Sequence, residues 1–274
     1  MTDADALLRA VLAAPDDDAP RLVYADWCDE HGDPDRAAFI RAQVGLARDP
    51  NHPRRAELVQ TEQTLWSKHR AEWTAWVPPW AEVPGFDRGF LERIRCEAAD
   101  YLAGADEVRL RTPLMGLRLY GTADLAVPVF RSRALDGIRV LILSVDVNAG
   151  DWAHFAACPY LGRLEELNLN SKAPPGEIVT ALVESVNLGA LRVLRLRSCG
   201  LADEHTARLV RHPWVARLRS LDLRGNLILD EGGLALVESP HLGGLESLTL
   251  TGNPVADGWL AERIRRKFGG RVRM

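Results

Sequence analysis

Apolar residues recur at a fixed phase through the C-terminal two-thirds of the chain. Six cores read Leu114-Leu117-Leu119, Ile138-Leu141-Leu143, Leu164-Leu167-Leu169, Leu191-Leu194-Leu196, Leu218-Leu221-Leu223 and Leu245-Leu248-Leu250. The middle residues of the last four lie 27 positions apart, and the two earlier gaps are 24 and 26. A unit of this size cannot bury its apolar face alone, so neighbours must stack into a solenoid with an open concave face. A degenerate core, Leu91-Ile94-Cys96, fits the same phase and starts the sheet, which predicts seven parallel strands. The end, Trp259 to Met274, reads as a capping helix and a short final strand that keep apolar surface out of water.

The first 80 residues follow a helical period instead. Ala6, Leu7, Ala10, Val11 and Leu12 share one face of a helix over 3–13, which Pro15 and Asp16-Asp17-Asp18 end. A second helix over 20–30 starts at Pro20, buries Leu22, Val23, Tyr24 and Trp27, and stops at Gly32. A third begins at Asp33-Pro34 and carries Ala38, Phe39, Ile40, Val44 and Leu46. Pro50 and Pro53 break the chain before a longer helix over 54–76 with Leu58, Leu65, Trp66, Trp73 and Trp76. Pro78-Pro79-Trp80 and Pro84-Gly85 read as a joint. The stripe of tryptophans favours a core over an aromatic ligand cage.

Two stretches carry a family resemblance. Residues 7–43, LLRAVLAAPDDDAPRLVYADWCDEHGDPDRAAFIRAQ, closely resemble a short bacterial repeat-companion domain that precedes leucine-rich or other repeats. Residues 164–274 resemble ribonuclease-inhibitor-like leucine-rich repeats. Their pattern LxxLxLxx(N/C)xL is met by 191–201 with Cys199, by 218–228 with Asn226 and by 245–255 with Asn253. The resemblance implies that this side chain bonds backbone groups at the bend after the strand. Asp203, Asp230 and Asp257 follow at matching phase and read as N-caps of outer helices. The earlier repeats lack the Asn/Cys slot (NSKAPPGE after Leu169, SVDVNAGD after Leu143), so their bends are expected to be irregular.

The expected architecture is therefore an α/β solenoid, a leucine-rich-repeat horseshoe of about seven parallel strands with outer helices. A small all-α domain precedes it. The division expected is a helical companion domain over 1–80 and a repeat domain with its C-terminal cap over 81–274.

Alternation along the strands turns the residues between the leucines toward the concave face. That exposed ladder holds Arg93, Arg95 and Glu97, then Arg118 and Tyr120, Val140, Ile142 and Ser144, and Glu166, Asn168 and Asn170. It continues with Val193, Arg195 and Arg197, then Ser220, Asp222 and Arg224, and Ser247, Thr249 and Thr251. Arginines flank an apolar and amide-bearing middle, an arrangement suited to a protein partner because the planar guanidinium makes bidentate contacts. The competing reading is that charges simply solvate an exposed sheet and pair with one another. The function expected is a non-enzymatic scaffold or adaptor that binds a partner protein on this face. The alternatives are a recruiting subunit of a separately encoded enzyme and, less favoured, nucleic-acid binding through the arginines.

Composition narrows the classes. Net charge is −4, with 14 acidic and 9 basic residues in the first 80 positions and 24 and 25 in the rest, so the chain is no polycation. The cysteines, Cys28, Cys96, Cys158 and Cys199, form no CxxC pair, which argues against a disulfide framework or zinc ribbon. The N-terminus lacks a basic segment and long apolar run, and no stretch approaches a membrane span. A cytoplasmic monomer without cofactor or metal is expected. Cys28 and His31, three apart on one helix, form the one thiol–imidazole candidate, and no orienting third group accompanies them. The acidic runs lack calcium-loop spacing, and no phosphate-binding or nucleophile-elbow motif occurs. The basic tail from Arg263 to Arg273 reads as a solvated last helix and strand.

Overall fold

The computed structural model describes residues 2–121, 123–145, 147–169, 173–256 and 258–274. It divides into two compact units, Met1–Cys96 with Gly104–Gly116, and Glu97–Ala103 with Leu117–Met274.

The first unit opens with helices α1 (Asp3–Ala13), α2 (Ala19–Glu30), α3 (Pro34–Arg48) and α4 (Arg55–Trp73). Thr2 caps α1 by accepting from the Asp5 amide at 3.2 Å, and Asp33 caps α3 by accepting from the Arg36 amide at 3.0 Å. Gly32, at φ +86°, turns the chain between α2 and α3 as expected. Small residues bring these two helices together: Ala25, Cys28 and Ala37 pack with Ile40 and Val44. The buried side of α2 differs from the expected one. Val23 is half exposed, while Arg21 is completely buried.

Arg21 is buried because a tight turn needs it. Asp87 and Phe90 pair as an antiparallel bridge, with Arg88 and Gly89 between them at φ +48° and +88°. Two consecutive positive φ values are the signature of a primed hairpin turn, which glycine enters without strain. A Cβ on Gly89 would stand 2.5 Å from Ile40 Cγ1, so the turn is also pressed against α3. Its polar groups are then sealed from water and must find partners. Gln43 supplies two, donating to the Phe86 carbonyl at 2.8 Å and accepting from the Gly89 amide at 2.7 Å. Arg21 donates to the Arg88 carbonyl at 3.1 Å, and Arg36 donates to that of Gly89. Glu92 neutralises Arg21 at 2.7 Å and Arg88 at 3.0 Å. Strand β1 (Arg93–Glu97) follows the turn, and the Arg95 backbone pairs antiparallel with Glu82.

Helices α3 and α4 are also clasped at the surface. Asp35 accepts from Lys68 and from His69 Nε2, both at 2.7 Å, and Glu72 contacts the other ring nitrogen of His69 at 3.2 Å.

The second unit contains strands β2 (Gly116–Gly121), β3 (Val140–Val145), β4 (Glu166–Leu169), β5 (Val193–Leu196), β6 (Ser220–Asp222), β7 (Ser247–Thr249) and β8 (Val272–Arg273), ordered along the sheet as along the chain. Each expected strand core thus carries a strand, and the short final strand is β8. Pairing from β3 to β8 is parallel throughout. Leu141, Leu167, Leu194, Leu221 and Leu248 stand in register and are fully buried, so the leucine phase is the core of this unit. Between strands lie α6 (Ala126–Arg131), α7 (Trp152–Ala156), α8 (Pro175–Glu184), α9 (Asp203–Val210), α10 (Asp230–Glu238) and α11 (Ala261–Phe268), while α5 (Ala98–Arg109) contributes residues to both units. The two shortest, α6 and α7, fall in the irregular early repeats. There Phe130, Trp152 and Phe155 fill the core with mutually tilted rings 5.4–6.2 Å apart.

The bends of the later repeats are held from within. Asn226 accepts from the Cys199 and Leu201 amides at 3.0 and 3.1 Å and donates to the Leu196 and Leu223 carbonyls, both at 2.7 Å. Asn253 repeats this one unit later, accepting from the Ile228 amide at 3.2 Å and donating to Leu223 and Leu250 at 2.8 Å. Each asparagine therefore ties its own bend to the preceding one. The residue before each slot has positive φ: Ser198 at +52°, Gly225 at +69° and Gly252 at +75°. At Gly225 the positive φ favours glycine, and a Cβ there would also require the Ser198 hydroxyl, 2.8 Å away, to turn aside.

The aspartates expected as N-caps act otherwise. Asp203 and Asp230 are the first helical residues of α9 and α10, and the caps before them are Ala202 and Leu229. Asp203 instead accepts from the Leu229 amide of the next repeat at 2.7 Å, and Asp230 from Trp259 Nε1 at 2.7 Å. Their phase records an inter-repeat bond, with the helix N-terminus still favouring the negative charge. Asp257 lies outside the described residues.

Two measurements follow. Replacing Asn226 by Ala takes the side-chain partner from two buried amides and from the Leu196 carbonyl, while Leu223 keeps its bond from Asn253, so unfolding free energy falls by about 3 kcal/mol; exposed Asn51→Ala changes it by less than about 0.5 kcal/mol, and urea titration of both variants tests this. Hydrogen bonds from the His69 ring to the Asp35 and Glu72 carboxylates raise the His69 pKa above 6.5. The stabilisation from charged His69 is full below pH 6.5 and is lost as pH rises through the raised folded value. Thermal midpoints of wild type and His69→Gln should therefore converge between mildly acidic and mildly alkaline pH.

Candidate interaction surface

Alternation along β3 to β5 buries the leucines and leaves their neighbours on the opposite face, half exposed. In register across this face run Val140, Glu166, Val193, Ser220 and Ser247 in one row. Ile142, Asn168, Arg195, Asp222, Thr249 and Arg273 form the next. Arg118 on β2 is exposed and Tyr120 half-buried. Arg93 and Arg95 are exposed on β1 of the first unit, where Arg93 is held by a two-toothed pair to Asp87, both bonds at 2.8 Å. Asn170 lies outside the described residues.

Two residues of the expected exposed ladder are buried instead. Asp222 is 5% exposed and Thr249 is 5% exposed. Asp222 is covered because it accepts from Arg197 Nε at 2.7 Å and from the Arg224 backbone amide at 3.1 Å, with the Arg224 guanidinium 3.9 Å away. Thr249 lies in register between Asp222 and Arg273, both of which bear larger side chains.

Arg195 on β5 and Arg197 just after it are already paired within the chain. Arg195 pairs with Glu166 on the adjacent strand, and Arg197 pairs with Asp222. Burial pushes the Arg195 guanidinium below its ordinary value, and the like charge of Arg197 adds to this. Cross-strand pairs of this kind set the register and orient the guanidinium planes. The face offers paired, ordered charges on β4 to β6 beside the aliphatic Val140 and Ile142 of β3, with Glu166 standing between Val140 and Val193.

The thiol–imidazole candidate does not assemble. Cys28 is buried, and that burial pushes its thiol up to about 11, away from the thiolate a nucleophile requires. His31 stacks on Trp27 at 4.3 Å and places Nδ1 2.8 Å from the Trp27 carbonyl. Among the described residues no three His, Cys, Asp or Glu side chains gather as a metal site. No described helix is long and apolar enough to cross a membrane.

Periodicity also passes over two inward-turned arginines of the first unit, Arg21 buried and Arg36 partly buried. Arg21 in PRLVYADW and Arg36 in DPDRAAF sit beside apolar positions, and a long stem on a helix edge fits solvent as well as core. The available signal was their position inside a strongly apolar helix face.

Comparison of the chain with protein-family models finds no match. Comparison with curated proteins finds none either.

Removing Asp222 leaves three neighbouring arginines facing one another, so Asp222→Ala costs about 1–3 kcal/mol of stability, while Arg197→Ala, at a half-exposed pair, costs less than about 1 kcal/mol. Chemical denaturation of the two variants and their double mutant checks the order.

Proposed function

We propose that the chain is a ribonuclease-inhibitor-like leucine-rich-repeat protein with a bacterial repeat-companion domain at its N-terminus. Its role in this reading is that of a non-enzymatic scaffold binding a partner protein on the exposed sheet face. The observation that supports this best is the pair of aliphatic side chains Val140 and Ile142, half exposed on β3 beside the Glu166–Arg195 ion pair, with half-exposed Val193 one strand further on. Interfaces are organised in this way, with an apolar desolvated centre that carries most of the energy and a polar rim that excludes wrong partners. Arg195 and Arg197 are already paired with Glu166 and Asp222, which supports a protein over nucleic acid as the partner in this reading. Arg118 and Tyr120 extend the same face on β2.

Immobilised full-length chain tests the reading. Partners retained by the wild type should be lost, by about thirtyfold or more in affinity, from Ile142→Glu. They should be kept by Arg211→Glu, which changes an exposed position outside the face, and retention should change little with salt. Equal retention by wild type and Ile142→Glu would remove the sheet face as the site.

A further inference from the structure

From the first unit we infer a binding site for a small organic carboxylate with an apolar body, free or as the last residue of a peptide, in the cavity between Arg36 and Trp27. This site is separate from the sheet face. The cavity has a volume of about 370 Å³, within the range of small-molecule sites. Its walls include Leu8, Tyr24, Trp73, Trp76, Phe90 and Leu91.

Two polar groups set its chemistry. Arg36 lines the cavity with its guanidinium 4.9 Å from the Trp73 ring centre, 5.2 Å from Phe86 and 5.5 Å from Phe90. Nη2 is used by the Gly89 carbonyl, but Nη1 is sealed from solvent with no hydrogen-bond partner. Trp27 lines the same cavity, and its Nε1 is likewise buried and without a partner. Orphaned buried donors are costly, more so on a cation, and a small turn of these two cavity-lining side chains would let an incoming oxyanion satisfy both.

The cavity's own acids do not serve. Asp33 is occupied by the Arg36 backbone amide, and Glu72 contacts His69. Burial raises the pKa of both Cys28 and Tyr24, so these neighbours stay neutral at physiological pH. Arg111 lines the cavity as well, 5.9 Å from the Trp76 ring centre, and adds a second positive group. A planar carboxylate matches the guanidinium fork, and the aromatic walls suit a flat or bulky apolar body. A phosphate dianion would need more donors than these walls offer.

Titration of the full chain with 3-phenylpropionate, followed by tryptophan fluorescence and calorimetry, tests the site against the neutral 3-phenylpropanamide. The acid should bind saturably and at least about tenfold more tightly than the amide. Arg36→Met should abolish that preference. Where Arg36→Met fails to fold, Trp27→Phe, which removes the indole N–H and keeps a smaller aromatic ring, should weaken the acid several-fold and the amide less. N-acetyl-Ala-Phe with a free C-terminus, compared with its C-terminal amide, identifies the source. Tighter binding of the peptide acid than of 3-phenylpropionate assigns a chain end, and the reverse assigns a free acid. Equal titration by acid and amide, no binding of either at millimolar concentration, or an unchanged acid preference in both variants would overturn the inference.

Discussion

Both units of this protein depend on one constraint: a backbone bend buried against a core must have its N–H and C=O groups bonded from inside. In the second unit Asn226 and Asn253 do this, each joining two successive bends. In the first unit Gln43, Arg21 and Arg36 do it for the turn around Arg88 and Gly89. The remaining architecture follows. Bends held in this way let the strands stack with their leucines in register, and the turn held in this way gives α2 and α3 a common anchor.

The two solutions have different consequences. An asparagine is neutral, so its bonds satisfy the bend locally and the repeats can continue without further demand. An arginine brings a charge with it. Arg21 is balanced by Glu92, yet desolvation still lowers the arginine's pKa and raises the carboxylate's, so the pair sits where Coulomb attraction only partly offsets burial. Arg36 has aromatic rings in place of a carboxylate. Cation–π contact offsets part of the cost and leaves one donor without a bond. Strain of this kind concentrates where a molecule binds.

On the sheet face the same accounting runs outward. Glu166 and Asp222 take up the arginines of β5, and the aliphatic side chains at Val140, Ile142 and Val193 keep their exposure. The face is thereby ordered in advance, which would lower the entropic cost of association with the proposed partner.

The period of leucines, the Cys199, Asn226 and Asn253 slots, the stop at Gly32 and the cap at Asp33 were all legible in the amino-acid sequence, because each reports local geometry that recurs wherever the same dihedrals are needed. Other features were decided by contacts between residues far apart in the chain. Arg21 and Arg36 turn inward because the carbonyls that need them lie 67 and 53 residues away. Asp203 and Asp230 bond the next repeat and do not cap their own helices. Asp222 and Thr249 are covered by the side chains that register sets beside them. A one-dimensional pattern records which positions must be apolar or small. Which polar side chain satisfies which buried group is a matter of three-dimensional distance, and only the tertiary structure decides it.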